Sequence, residues 1–164
     1  MASILKSLSD FSHLEVPSGK DYTVGIVVAQ WNAEITGALY NGACSALLKS
    51  GVLEENILTV QVPGSFELTS GADILLSSKQ LDAVICLGCV IQGETPHFTF
   101  ICNAVANGLV NVSIKHNKPV VFGVLTTDNQ QQAKDRAGGK HGNKGEEAAV
   151  TAIVMAQVQA NAAQ

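Results

Sequence analysis

Cys86-Leu87-Gly88-Cys89-Val90-Ile91-Gln92-Gly93-Glu94-Thr95-Pro96-His97 carries the chain out of a strand and into a helix. An apolar run from Ala83 to Ile91 ends in Gln-Gly-Glu-Thr-Pro, and helical spacing begins at Pro96. A strand that feeds a helix N-terminus makes an anion site, because the first turn has unpaired N–H groups and the positive end of the helix dipole. Gly93 lets a ligand approach the backbone, and Pro96 suits a first helical turn, where its missing donor costs nothing. His97 places beside that site a ring able to carry a proton near neutrality, although a histidine at a helix start is also an ordinary surface or capping residue.

The same alternation continues on either side. Thr23 to Ala29, Ile57 to Val62 and Val120 to Leu125 read as further strands. Helices are expected over Ala33 to Ser50, Phe66 to Ser78, Pro96 to His116, Asn129 to Ala137 and Asn143 to Gln159, with Gly138 to Gly142 as a tight turn. Expected inward positions are Ile35, Leu39, Ala43, Ala46 and Leu47, then Leu68, Ala72 and Leu75, then Phe100, Ala104, Leu109 and Val112. Strands apolar on both faces and separated by helices mean parallel pairing, since parallel strands need crossover connections. The fold class is therefore α/β, a three-layer αβα sandwich on a parallel sheet of at least four strands. Residues 1–20 show no sustained period and read as an N-terminal arm, leaving 21–164 as a single domain.

Composition narrows the function. Hydrophobic residues make up 46% and charged residues 15%, few charges for a small monomer, which favours burial of surface against copies of itself. A net charge of −4 without a basic run gives no footprint for nucleic acid. No apolar stretch approaches the roughly 18 residues of a membrane span and no signal peptide is evident, so a cytoplasmic location is expected. Among four cysteines, Cys86 and Cys89 form a C-x-x-C, but residues three apart on a strand face opposite ways. Buried thiols in a reducing compartment are expected there, not a bridge or a metal.

In open α/β sheets ligands bind beyond the carboxyl ends of the strands. The unusual residues stand there: Trp31-Asn32, Ser65-Phe66-Glu67, Gly93 to His97, and Thr126-Thr127. Trp31 offers a flat face to a heteroaromatic ring, or is simply structural. Pro63 to Glu67 presents amides, a hydroxyl and a carboxylate suited to a polyol and a ring edge, though Glu67 is equally placed to complement a helix dipole. Arg136, before the flexible Ala137-Gly138-Gly139, can be aimed at a phosphate or lie on the surface. Lys144 and Glu147 are spaced for a solvated pair on a helix.

Gly25-Ile26-Val27-Val28 through Trp31-Asn32, Val62 to Glu67, Gly88 to Ile91 through Gly93 and Thr95-Pro96-His97-Phe98, Phe122 to Thr127, Arg136 to Lys140 and Gly142 to Gly145 together resemble the 6,7-dimethyl-8-ribityllumazine synthase family. Those enzymes perform the penultimate step of riboflavin biosynthesis, and the resemblance covers about residues 21 to 157 in order. It implies a flavodoxin-like domain with a four-stranded parallel sheet, its edge open to a neighbour's N-terminal arm. It implies that Trp31 stacks on a pyrimidine, and that Ser65, Phe66, Glu67, Cys89, Val90 and Ile91 hold its edge and ribityl chain. Glu94 and Thr95, chiefly by backbone, and Arg136 would bind the phosphate of a four-carbon partner. Phe122 would come from a neighbouring subunit, and His97 matches the proton-transfer residue. Gln92 and Glu94 depart from common family choices, and the Glu94 carboxylate is expected to point away from the phosphate.

The resemblance further implies small-molecule substrates, no cofactor and no metal. It implies a homopentamer, with association into a sixty-subunit shell around riboflavin synthase permitted by the uninterrupted short turn Gly138 to Gly142. A non-catalytic flavin or lumazine carrier, or a shell protein of the same fold, is the alternative. The presence of His97 and Arg136 favours the transferase.

Overall fold

Period-two alternation sorts the inner strands onto two faces. Along β1 (Val24–Ala29), Val24, Ile26 and Val28 enter one apolar cluster while Val27 and Ala29 enter another. Along β3 (Ala83–Ile91), Ala83, Ile85, Leu87 and Cys89 join the first and Val84 and Cys86 the second. Both faces of these strands are therefore covered, as parallel sheets require. The structure, a computed structural model, describes residues 15–163.

With β2 (Ile57–Val62) and β4 (Val120–Thr127) the strands form one parallel sheet in the order β2-β1-β3-β4. Helices α1 (Ala33–Lys49) and α5 (Lys144–Ala162) cover the first face through Ile35, Leu39, Leu47, Ala152 and Ile153. Helices α2 (Leu68–Ser78) and α3 (His97–His116) cover the other through Leu68, Leu75, Val105 and Leu109. The expected three-layer αβα sandwich is the observed one. Strand order reverses between β1 and β3, and the crevice outside their carboxyl ends is where such a sheet receives ligands.

Several expectations are corrected. The edge strand β2 is not covered on both faces: Thr59, Val60 and Gln61 are exposed, because α1 lies over β1 and β3 and α5 over β3 and β4. β4 runs two residues further than expected, its pairing with β3 continuing through Val90↔Thr126 and Ile91↔Thr127. The second helix starts at Leu68 rather than Phe66, and Pro96 is the cap residue before α3. Phe100 and Ala104, expected inward, lie exposed, Phe100 at 69%. The inward stripe is Val105, Leu109 and Val112, so α3 is apolar on a second, outward face that includes Phe100 and Ile114.

After α4 (Gln130–Arg136) the expected turn is a small antiparallel hairpin, β5 (Ala137–Gly139) with β6 (Gly142–Asn143). Gly138 and Gly142 both have positive φ, 107° and 77°, which favours glycine at each. Asn143 ties the hairpin down: its Oδ1 accepts from Gly145 N at 2.8 Å and its Nδ2 donates to Ala38 O at 3.0 Å. A Cβ on Gly145 would stand 1.9 Å from Leu39 O, so α1 and α5 meet there backbone to side-chain-free backbone. Across the other layer, Lys115 Nζ and His116 Nε2 both reach Asp73 Oδ1 at 2.7 Å and join α3 to α2. The hydrogen bonds from Lys115 and His116 hold the Asp73 carboxyl below the usual carboxylate value.

Residues 1–14 of the expected arm, on which its pairing with a neighbour's sheet depends, lie outside the described residues. The remainder of it is docked, with Val16 against the α1/α5 cluster and Gly19 N donating to Ser50 O at 2.8 Å.

Candidate functional site at the carboxyl end of the sheet

Strand β1 hands over to α1 through three residues, Gln30, Trp31 and Asn32. Trp31 N donates to Pro63 O at 3.0 Å, extending the β1–β2 pairing past the strand, and the indole stays 67% exposed. Asn32 has φ 59°, an uncommon backbone for a residue other than glycine, and its Nδ2 donates to Cys89 O at 3.0 Å. That bond spans the switch point from β1 to β3. After β2, Glu67 Oε2 accepts from Gly64 N at 3.1 Å and closes the Pro63–Glu67 turn, Phe66 is exposed, and Ser65 is buried. Ser65 fits because Gly88 of β3 lacks a side chain, since a Cβ there would lie 2.6 Å from Ser65 Oγ.

At the end of β3, Val90 and Ile91 are half-buried and Gln92 N donates to Thr127 O at 2.8 Å. The Gln92 amide turns onto its own backbone, donating to Gly93 O at 2.7 Å. Gly93 faces open space, and Glu94, Thr95 and His97 are exposed around the start of α3, which no side chain caps. The first-turn N–H groups thus point at solvent beside His97, the arrangement that receives an anion.

Cys86 and Cys89 lie on opposite faces of β3 and all four cysteines are free. Burial pushes both thiols up, Cys89 to about 11. Alkylation near neutral pH is expected to be on the order of 100-fold slower at Cys89 in the native than in the denatured chain, and slower still at Cys86, because the thiolate is the reacting form. Peptide mapping by mass spectrometry checks this, and native labelling of Cys89 at the denatured rate would refute it.

Phe122 stands apart from this cluster, and Arg136 shares a groove with it. Phe122 pairs with Cys86, five positions before Ile91, which at about 3.3 Å per residue puts it about 17 Å below the strand end. It is 44% exposed and lines a groove of about 540 Å³ along the open edge of β4, together with Arg136, Lys144, Glu147, Thr151 and Met155. Arg136 Nη1 donates to Gln132 O at 3.0 Å. Lys144 Nζ meets Glu147 Oε2 at 2.6 Å, but their side chains are only 23% and 17% exposed, so the pair forms part of a groove wall and is not the solvated pair expected. Spacing alone finds the pair; its burial depends on where β4 runs.

One chain therefore gathers Trp31, Ser65 to Glu67, Cys89 to Ile91 and Glu94 to His97 at the sheet end, and carries Phe122 and Arg136 on the groove along the open edge of β4. Residues 21–160 match the sequence profile of 6,7-dimethyl-8-ribityllumazine synthase. The chain belongs to the 6,7-dimethyl-8-ribityllumazine synthase family. A protein of that name from Cytophaga hutchinsonii is 61% identical over 155 residues, covering 94% of this chain and 97% of the relative. Another from Parabacteroides distasonis is 51% identical, covering 98% and 100%, and one from Porphyromonas gingivalis is 50% identical, covering 97% and 99%. Among the described residues of this lumazine synthase family member, no group of three or more His, Cys, Asp or Glu side chains is placed to hold a metal, and no helix is long and apolar enough to cross a membrane.

Proposed function

We propose that the protein is a transferase that condenses 5-amino-6-(D-ribitylamino)uracil with 3,4-dihydroxy-2-butanone 4-phosphate to 6,7-dimethyl-8-ribityllumazine, releasing phosphate and water. The observation that carries this reading is the near full-length identity to proteins of that name. The amine of the pyrimidine adds to the ketone, giving a carbinolamine that loses one water to form an imine; phosphate leaves, the ring closes and a second water is lost. None of these steps changes oxidation state, so the side chains have only to bind, orient and move protons.

In this reading Trp31 stacks on the pyrimidine, while Ser65, Phe66, Glu67 and the Cys89-Val90-Ile91 backbone hold its edge and ribityl chain. Glu94 and Thr95 N–H groups and the Arg136 guanidinium take the phosphate, and His97 transfers protons. The distance between Phe122 and the sheet end supports a site completed by a second subunit, which brings its β4 edge, with Phe122 and Arg136, to the Trp31 side of its neighbour. The exposed apolar residues Phe100 and Ile114 on α3 and Met155 and Val158 on α5 support burial against other copies. The assembly is a cytoplasmic homopentamer, and the two residues between β5 and β6 leave room for pentamers to meet in a sixty-subunit shell around riboflavin synthase.

Mixing both substrates with the protein and following lumazine formation against the slow spontaneous reaction tests the activity; no acceleration would leave a carrier or a shell. Light scattering in dilute neutral buffer tests the assembly, a stable five-subunit species excluding the shell and a fully active monomer excluding the shared site. Arg136→Gln is expected to raise the apparent KM for the phosphate substrate about tenfold or more, the loss of one charge-assisted hydrogen bond of roughly 1.5–3 kcal/mol, with kcat little changed. An unchanged KM would remove Arg136 from the phosphate site.

A further inference from the structure

Trp31 is the only tryptophan of the chain, and its ring is exposed yet supported from one side. The backbone on both sides is fixed, by Trp31 N to Pro63 O at 3.0 Å and by Asn32 Nδ2 to Cys89 O at 3.0 Å. The indole edge lies over Gly64: a Cβ on that glycine would stand 2.6 Å from Trp31 Cε3 and 2.8 Å from Cζ3, closer than carbon atoms approach. Any other residue at position 64 must move the indole, and an exposed ring has room to move without disturbing the core.

Nothing else at position 64 calls for glycine. Its φ is outside the left-handed region, and its N–H donates to Glu67 Oε2, which any residue except proline can do. A Cβ would come within 3.2 Å of Glu67 Oε2, a crowding that a few tenths of an ångström relieve. The indole is the contact that glycine alone permits.

We propose that Gly64 is a positioning residue whose missing side chain sets the pitch of the Trp31 indole, and so the plane on which the pyrimidine is received. This role rests on the stacking function proposed for Trp31. A small tilt matters because it changes how much of the pyrimidine face the indole covers, a contact made in the bound state and in the transition state alike, so its loss appears in KM.

The test is Gly64→Ala in the full assembly, alone and with Trp31→Leu, which has no ring to collide. Gly64→Ala is expected to raise KM for the pyrimidine tenfold or more, with KM for the butanone phosphate unchanged and kcat within about threefold. It should also shift the emission of the single tryptophan, a readout independent of turnover that stands even if the proposed reaction does not. In the Trp31→Leu background the same glycine substitution should add no further penalty. Unaltered KM and emission would overturn the proposal, and so would an equal penalty in the Trp31→Leu background, which would assign the effect to the turn or to Glu67. Should Gly64→Ala fail to fold by circular dichroism, recovery of the fold in the double variant supports the collision with Trp31, and an equally unfolded double variant overturns it.

Discussion

His97→Ala is expected to slow turnover by roughly 10²–10⁴-fold, the usual contribution of one positioned general acid–base group, while leaving measurable activity. Activity survives because holding two reactants together supplies much of the rate, on the order of 7–11 kcal/mol in ideal intramolecular cases. His97 is exposed at the first residue of α3, where its ring can exchange protons with solvent between steps. The slowing should persist across the pH range. Steady-state rates across the pH range check this, and a variant as fast as the parent at every pH would remove the proton-transfer role.

Gly145→Ala should have the largest effect on stability. The added Cβ would sit 1.9 Å from Leu39 O and 3.0 Å from Asn143 Oδ1, and the first of these is backbone of the buried α1. Overpacking costs typically 1–3 kcal/mol, and a backbone obstacle that cannot rotate away puts this case at about 3 kcal/mol or above. For a domain of this size that corresponds to a fall in Tm of roughly 6–12 °C. Gly37→Ala on α1 is the control: nothing lies within 4 Å of its Cβ position, and alanine is the better helix former by about 1 kcal/mol. Scanning calorimetry should find the first variant well below the parent and the second at or above it. Gly145→Ala melting with the parent would contradict the close contact of α1 and α5.

The sequence makes the centre of this fold legible and its edges less so, for one reason. β1 and β3 are apolar on both sides because helices cover both sides, and the expected bounds of β3 are the observed ones. The expected bounds of β2 are also the observed ones, but its Thr59 and Gln61 are exposed because the helices lie over the middle of the sheet, which periodicity does not report. Phe100 misleads because α3 has two apolar faces, and spacing within one helix cannot tell which of them meets the sheet. The sheet-end grouping of Trp31, Ser65 and His97 was legible because strand ends can be counted. The placement of Phe122 far from it was not visible without the register Cys86↔Phe122, although resemblance had already assigned that residue to a neighbour.

The separation of Phe122 from the sheet end, with Arg136 on the same β4 groove, makes defects divisible between molecules. Under the proposed shared site, a chain disabled at Trp31 still lends an intact β4 edge to its neighbour, and a chain disabled at Arg136 still offers an intact sheet end. Two inactive alleles of one gene would then complement each other. With random mixing in equal amounts each junction draws its halves independently, so about a quarter of the sites would be whole. Inheritance of function would follow the junctions between chains and not the chains themselves.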